Sequence, residues 1–181
     1  MSETIEQLLD AAEGAIRLRG YHAVSFRELA DDIGIKSASV HYHFPQKDDL
    51  GVALVERYSE RLFAELERRS AKAKTPEDKL RAFYGVYRDA LVGTDSICLC
   101  VMLGAESRGL PAGVSGAVKL FFEANIAWLG AALDASLTAK SRKAKASTIL
   151  ATLQGGMMLA TALQDHKLFD AIVSELRSAH V

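Results

Sequence analysis

The chain has 181 residues, 49% of them hydrophobic, and a net charge of −1. Such a composition fills a core, which excludes disorder, and a near-neutral balance excludes a protein that coats nucleic acid indiscriminately, though not a sequence-specific binder. No apolar run reaches the ~18 residues of a membrane span, no basic-then-apolar leader opens the chain, and two cysteines fit a reducing compartment. A cytoplasmic protein without membrane contact is expected.

The first predicted helix covers 3–19, with Ile5, Leu8, Leu9, Ala12 and Ile16 as its buried stripe and Gly20 as its stop. Arg17 and Arg19 near its end complement the helix dipole, with a phosphate contact as the alternative. Ser25 followed by Glu28 is a capping-box pattern that opens a short second helix. Phe26, Leu29, Ala30 and Ile33 stripe that helix, and Gly34 closes it. Ser37 is the expected cap of a third helix, whose inward residues Val40 and Phe44 lie one turn apart. Pro45 stops this helix, because the residue before a proline is pushed out of the helical region. Two short helices joined by a tight turn make a helix-turn-helix.

The outward face of the third helix points to DNA. At about 100° per residue, Ala38, Ser39, His41 and Tyr42 project away from Val40 and Phe44. No acid lies between Gly34 and Gln46, and Lys36 and Lys47 flank the segment. Small residues permit close backbone approach, while hydroxyls and imidazoles reach phosphates and base edges. Lys47 also falls at the amino end of the next helix, a terminus that favours anions.

The run GIKSASVHYHFPQKDDL resembles the signature of the TetR family of bacterial one-component repressors. Gly34, Ile35, Val40, His43, Phe44, Lys47 and Leu50 match it in register. His41 stands where that family most often has tyrosine and Lys36 where it often has serine, so the usual aromatic hydroxyl is displaced to Tyr42 or lost. The signature covers the first quarter of the chain; the rest resembles the family in length and helical pattern. The resemblance implies an all-α protein: an amino-terminal three-helix domain, 1–46, joined by a long helix to a larger effector-binding and dimerisation domain, 47–181. It implies a homodimer on a palindromic double-stranded operator, with Ser25, Arg27, Lys36, Ser37, Tyr42 and Lys47 as polar DNA contacts and Ala38 and Ser39 closest to the bases. It further implies a repressor that lets go of DNA when a small molecule binds.

After Pro45 a long helix is expected over 47–72, with Leu50, Leu54, Tyr58, Leu62 and Leu66 at four-residue spacing and charged residues elsewhere. No Gly-, Ser- or Pro-rich linker divides the chain there, so a stiff helix makes the connection. Thr75-Pro76 starts the next helix, which carries Leu80, Phe83, Tyr84, Tyr87, Ala90 and Leu91 on an aromatic-rich face. Residues 97–103 are apolar on every side and are expected to be buried all round. Another long helix is expected over 114–138, with Val118, Phe121, Phe122, Asn125, Leu129, Ala132 and Leu133 inward and Trp128 beside them. Asn125, polar within that stripe, is either hydrogen-bonded to a neighbouring helix or a ligand-orienting group.

Lys140, Arg142, Lys143 and Lys145 form a basic cluster, read as a solvated face. The last two helices are expected over 143–164 and 166–178. The first carries Ile149, Leu150, Leu153, Met157, Met158, Leu159, Ala160 and Leu163 on more than one face, and Phe169, Ile172, Val173 and Leu176 stripe the second. Gly155-Gly156 at mid-helix suggests close approach of a partner helix. The leftover apolar surface, and the family's habit of dimerising through its last two helices, assign Leu153, Met157, Ala160, Phe169, Ile172 and Leu176 to a subunit interface.

No glycine-rich phosphate loop, Ser-His-acid set or zinc-ligand spacing occurs, so no catalytic residue, metal or cofactor is expected. His41 and His43, like Cys98 and Cys100, are two apart and diverge on a helix. An enzyme has no site here to argue from, and a purely structural adaptor would leave the polar, acid-free recognition face unexplained. Expected effector-pocket residues are Tyr84, Tyr87, Cys98, Met102, Phe122, Asn125 and Trp128, a lining that suits a small apolar or weakly polar molecule and disfavours a nucleotide. The alternative is a thiol-based sensor that responds to electrophiles or oxidants through Cys98 or Cys100, against which stands the inertness of thiols in apolar surroundings.

Overall fold

The computed structural model describes residues 2–94 and 97–178, and among them every regular element is helical: α1 Glu3–Arg19, α2 Phe26–Asp32, α3 Ser37–His43, α4 Lys47–Ser70, α5 Pro76–Thr94, α6 Leu99–Ala105, α7 Ala112–Ala132, α8 Ala139–Ala162 and α9 His166–Ser178. The backbone divides into two compact units. One joins the chain up to Ser59 with Leu99–Phe121; the other joins Glu60–Cys98 with the chain from Phe122 onward. Both α4 and α7 therefore contribute to each unit, and the 46/47 division expected from the sequence falls inside the first.

In the first unit, α1 buries Leu8, Leu9, Ala12 and Ile16, as its spacing predicts. The α2 capping box is formed in full. Ser25 Oγ accepts from the Glu28 amide at 3.3 Å, and Glu28 Oε2 accepts from the Ser25 amide at 2.9 Å. Gly34 closes the helix at φ +73°. The start of α3 differs from expectation. Lys36, extended, holds the cap position without a side-chain bond, and Ser37 is the first helical residue. Phe44 is extended before Pro45, as steric crowding by the ring requires.

Arg57 of α4 is buried against α1. Its guanidinium donates to Glu6 Oε2 at 2.8 Å and Asp10 Oδ1 at 2.7 Å. The guanidinium is dry while both carboxylates are exposed, so water screens the pairing, but an arginine left buried without its partners would be costly, and the contact fixes the position of α4 on α1. The long apolar row of α4, Leu50, Leu54, Tyr58, Leu62 and Leu66, is buried throughout. The short α6 is less enclosed than its sequence suggests. Leu99, Cys100 and Leu103 are buried, Val101 and Met102 are half-buried, and Cys98 precedes the helix.

In the second unit, Thr75 Oγ1 accepts from the Asp78 amide at 3.1 Å and opens α5, whose inner face is Leu80, Phe83, Tyr84, Val86, Tyr87 and Leu91. Helix α7 ends at Ala132, six residues before the expected stop, and α8 begins four residues early. Local side-chain chemistry explains both. Asp134 Oδ1 accepts from the Ser136 amide at 2.8 Å, and Thr138 Oγ1 caps α8 through the Ser141 amide at 3.2 Å. The basic cluster thus occupies the first turns of α8, where Arg142 donates to the carbonyls of Ala135 and Leu137.

Helices α8 and α9 pack along Ile149, Leu150, Leu153, Met157 and Ala160 on one side and Phe169 and Leu176 on the other. A methyl group at Gly156 would come within 3.3 Å of Ile172, so glycine there permits the close approach.

Candidate nucleic-acid interface

Two features aim α3 outward. Val40 and Phe44 are buried beneath it, and α2 lies against it with its own Phe26, Leu29 and Ala30 turned inward. The residues on the far side follow by rotation. Tyr42 is 84% exposed, an unusual position for a large aromatic group. Its ring stands edge-on to His43, with centroids 5.2 Å apart. His41 is exposed too, and its ring packs edge-on against Phe26 at 4.9 Å, which fixes its orientation. Ala38, Lys36 and Arg27 are exposed, while Ser37 and Ser39 are half-buried. Ser25 is at the surface, but its hydroxyl is committed to Glu28.

Lys47 departs from its expected role. Its Nζ donates to the Tyr21 carbonyl at 2.6 Å and lies 4.4 Å from the centre of the Tyr21 ring. Burial holds the ammonium pKa below the usual lysine range, against the charges of Glu106, Asp48 and Glu28. The side chain is thus occupied within its own unit, as a brace between the start of α4 and the turn after α1.

That turn rests on a residue the sequence reading missed. Glu106, just past α6, accepts from the Tyr21 amide at 3.0 Å. Gly20 adopts φ +83°, and a side chain there would collide with the Glu106 carboxylate. The Tyr21 hydroxyl donates to Asp48 at 3.3 Å, and burial, then Asp48, pushes the phenol upward. A glycine closing α1 is visible in the sequence, but nothing local points to a partner 85 positions away. Arg17 and Arg19 are engaged by Glu13 at 2.8 Å and Glu28 at 3.2 Å.

The expected effector residues divide between the two units. Met102 belongs to the first unit, the other six to the second. Asn125 is fully buried, and its Oδ1 accepts from the Tyr87 hydroxyl at 2.8 Å, the hydrogen bond between helices that was one of its two readings. Trp128 stacks on Phe83 with centroids 5.4 Å apart, Phe122 is half-buried, and Cys98 and Cys100 are buried and in no disulfide. Tyr84 lines a cavity of about 300 Å³ in which none of the other six takes part.

The expected subunit interface needs correction. Leu153, Met157, Ala160, Phe169 and Leu176 are buried within the single chain, where α8 and α9 pack on each other and on α5, and Ile172 and Phe169 reach towards Gly156. The apolar face that α8 leaves open carries Met158, Leu159 and Leu163, 51%, 49% and 63% exposed. Sequence spacing showed that α8 has two apolar faces, and only packing decides which one the chain keeps for itself.

Comparison with known proteins gives the class these features define. Residues 8–54 match the family described as bacterial regulatory proteins, tetR family. Over its full length the chain is similar to a TetR transcriptional regulator from Legionella pneumophila, at 30% identity over 100% of this chain and 99% of that one, with a TM-score of 0.93. A TetR-family regulator from Agrobacterium tumefaciens shows 29% identity over 98% and 97%, with a TM-score of 0.89. The chain belongs to the TetR family.

Among curated proteins, it is 30% identical over 83 residues to the HTH-type transcriptional activator FasR of Mycolicibacterium smegmatis, across 46% of this chain and 38% of that protein. It is 22% identical over 104 residues to the fatty acid metabolism regulator protein of Bacillus subtilis, across 58% and 54%. The matches thus span about two fifths and about half the length of these curated relatives.

Proposed function

We propose that the chain is a homodimeric, ligand-responsive regulator that represses transcription from a palindromic operator in the cytoplasm. The observation that carries this reading is the outward face of α3, where Tyr42, His41 and Ala38 stand exposed, with Lys36 exposed at its cap and Arg27 exposed on α2. A helix of this kind enters the major groove, and a two-fold pair reads half-sites one turn, or a multiple of it, apart. Arg27 and Lys36 meet phosphates, Tyr42 and His41 meet phosphate or base edges, and Ala38 lets the backbone come close, with Ser37 and Ser39 beside it. Ser25 and Lys47 act from behind, one capping α2 and the other bracing the turn after α1.

A second copy packs on the open face of α8. Leu159 and Leu163 lie one turn apart there, and Gly155 has nothing among the described residues within 4 Å of where its side chain would be. The effector is a small, mainly apolar molecule bound in the carboxy-terminal domain, 47–181, and it favours a conformation in which the two heads of residues 1–46 no longer fit their half-sites.

Selection of random DNA by the purified protein, followed by sequencing, tests the reading. An enriched inverted repeat is the expected result, with reporter expression rising when the regulator is deleted. Retention of DNA without any enriched sequence would overturn it, and expression that falls on deletion would make the regulator an activator, as one relative is named.

A further inference from the structure

Tyr84 of α5 is 3% exposed, and its hydroxyl is buried without a hydrogen-bond partner among the described residues. Natural interiors rarely leave such a group unpaired, since phenylalanine would fit the same space without the loss of hydration. Tyr84 also stands in the wall of the 300 Å³ cavity, whose apolar side is Pro76, Leu80, Leu133 and Leu137. Its charged side is Glu77, Asp134, Lys145 and Arg177.

The two acids are already held. Glu77 Oε1 accepts from Arg81 at 3.0 Å and from Arg177 at 3.4 Å, and Asp134 Oδ1 accepts from the Ser136 amide. Arg177 lies close enough to Tyr84 for its charge to act against the burial that pushes the phenol upward. An arginine and a phenol beside an apolar chamber form a pair of donors, and their complement is a negatively charged acceptor.

We propose that this cavity between α5, the segment after α7, and α9 binds a small monocarboxylate with an apolar body. At ~30 Å³ per water-sized group, it holds a molecule of roughly ten non-hydrogen atoms. The apolar body lies against Leu80, Leu133 and Leu137, and the carboxylate accepts from Arg177 and from the Tyr84 hydroxyl. Arg177, 45% exposed, also borders a neighbouring cavity of about 280 Å³ that Tyr84 shares, so it has room to turn and admit the head group. The sequence hides this site, because Lys145 reads there as part of a solvated basic cluster and no spacing singles out Arg177.

The inference rests on the ligand-responsive reading only for its effect on DNA, so binding is measured first without DNA. Hexanoate and benzoate are titrated calorimetrically against hexanamide and benzamide, using the full chain, Tyr84→Phe and Arg177→Met. The expected result is submillimolar binding of at least one acid, about tenfold tighter than its amide. Tyr84→Phe keeps or raises the Tm of the unliganded protein and weakens the acid about fivefold or more. Arg177→Met removes the preference for acid over amide. The proposal is overturned if neither acid binds at millimolar concentration, if Tyr84→Phe binds as the parent does, or if its Tm falls, since that shows a hydroxyl already satisfied by water. Acid binding that leaves operator binding unchanged supports the site and counts against the ligand-responsive reading alone.

Discussion

Helices α3 and α8 both leave large apolar or aromatic groups in solvent, and the chemistry beside those groups differs. On α3 the exposed Tyr42 is accompanied by His41, half-buried serines and the cations Lys36 and Arg27. On α8 the exposed Met158, Leu159 and Leu163 share a face with Gly155, Ala151 and Ala162. The first surface offers donors and acceptors at every turn and suits a charged, hydrated partner. The second offers aliphatic area and close approach and suits another helix. Exposure marks a surface as available, and the neighbouring side chains decide for what.

The sharpest way to break this comparison is a pair of glutamates. Phe169→Glu places a charge in the α8–α9 seam and should cost about 4 kcal/mol or more, seen as loss of helicity at growth temperature. Leu159→Glu, on the open face, should keep helicity and Tm in the isolated chain. It should convert the dimer to monomer in sedimentation, with operator affinity down about a hundredfold or more. A dimeric Leu159→Glu variant would move the interface elsewhere.

Gly20→Ala probes the first unit from within. The backbone there favours glycine, and the new methyl meets Glu106. A loss of about 3 kcal/mol in urea denaturation is expected. Adding Glu106→Ala relieves the collision but also removes the acceptor of the Tyr21 amide, so it should recover little of the loss.

Tyr42→Ala should weaken operator binding by about 1–3 kcal/mol and leave stability within about 0.5 kcal/mol. Normal operator binding would remove α3 as the reading surface.

The smallest effect separates two lysines. Lys36→Ala should lower the salt dependence of DNA binding by about one unit of slope, as loss of a phosphate contact does. Lys47→Ala should change the slope less and lower stability by about 1 kcal/mol, because its amine already serves Tyr21. A full unit lost at Lys47 would put that side chain on the DNA.

Much of the fold was legible from local signals. Ser25 with Glu28, Gly20, Gly34, Pro45 and Thr75-Pro76 each act over a turn or less, and the helices begin and end near them. The long α7 was overdrawn because apolar spacing continues through Leu133 and Leu137, while the deciding hydrogen bonds come from Asp134 and Thr138. The α3 face was legible for the same local reason, since its direction follows from Val40 and Phe44. The engagement of Lys47 and Glu106 was not, because it depends on groups brought together from distant parts of the chain. Nor could periodicity say which stripe of α8 faces α9, as both stripes are apolar.

The adjacent glycines of α8 bear on that last point. Gly156 is pressed against Ile172 and Phe169, and Gly155 faces open space. Successive residues on a helix differ by about 100° in azimuth, so the close fit at Gly156 acts like a detent on a shaft. It indexes the rotation of α8 and so sets the bearing of Met158, Leu159 and Leu163. A methyl at Gly156 would come within 3.3–3.4 Å of Ile172 and Phe169, so those side chains or the bearing of α8 would have to give by a few tenths of an ångström. Where that adjustment turns α8, drift at Gly156 would re-aim the face proposed above for a second copy, giving duplicated regulators a route to stop mixing their subunits.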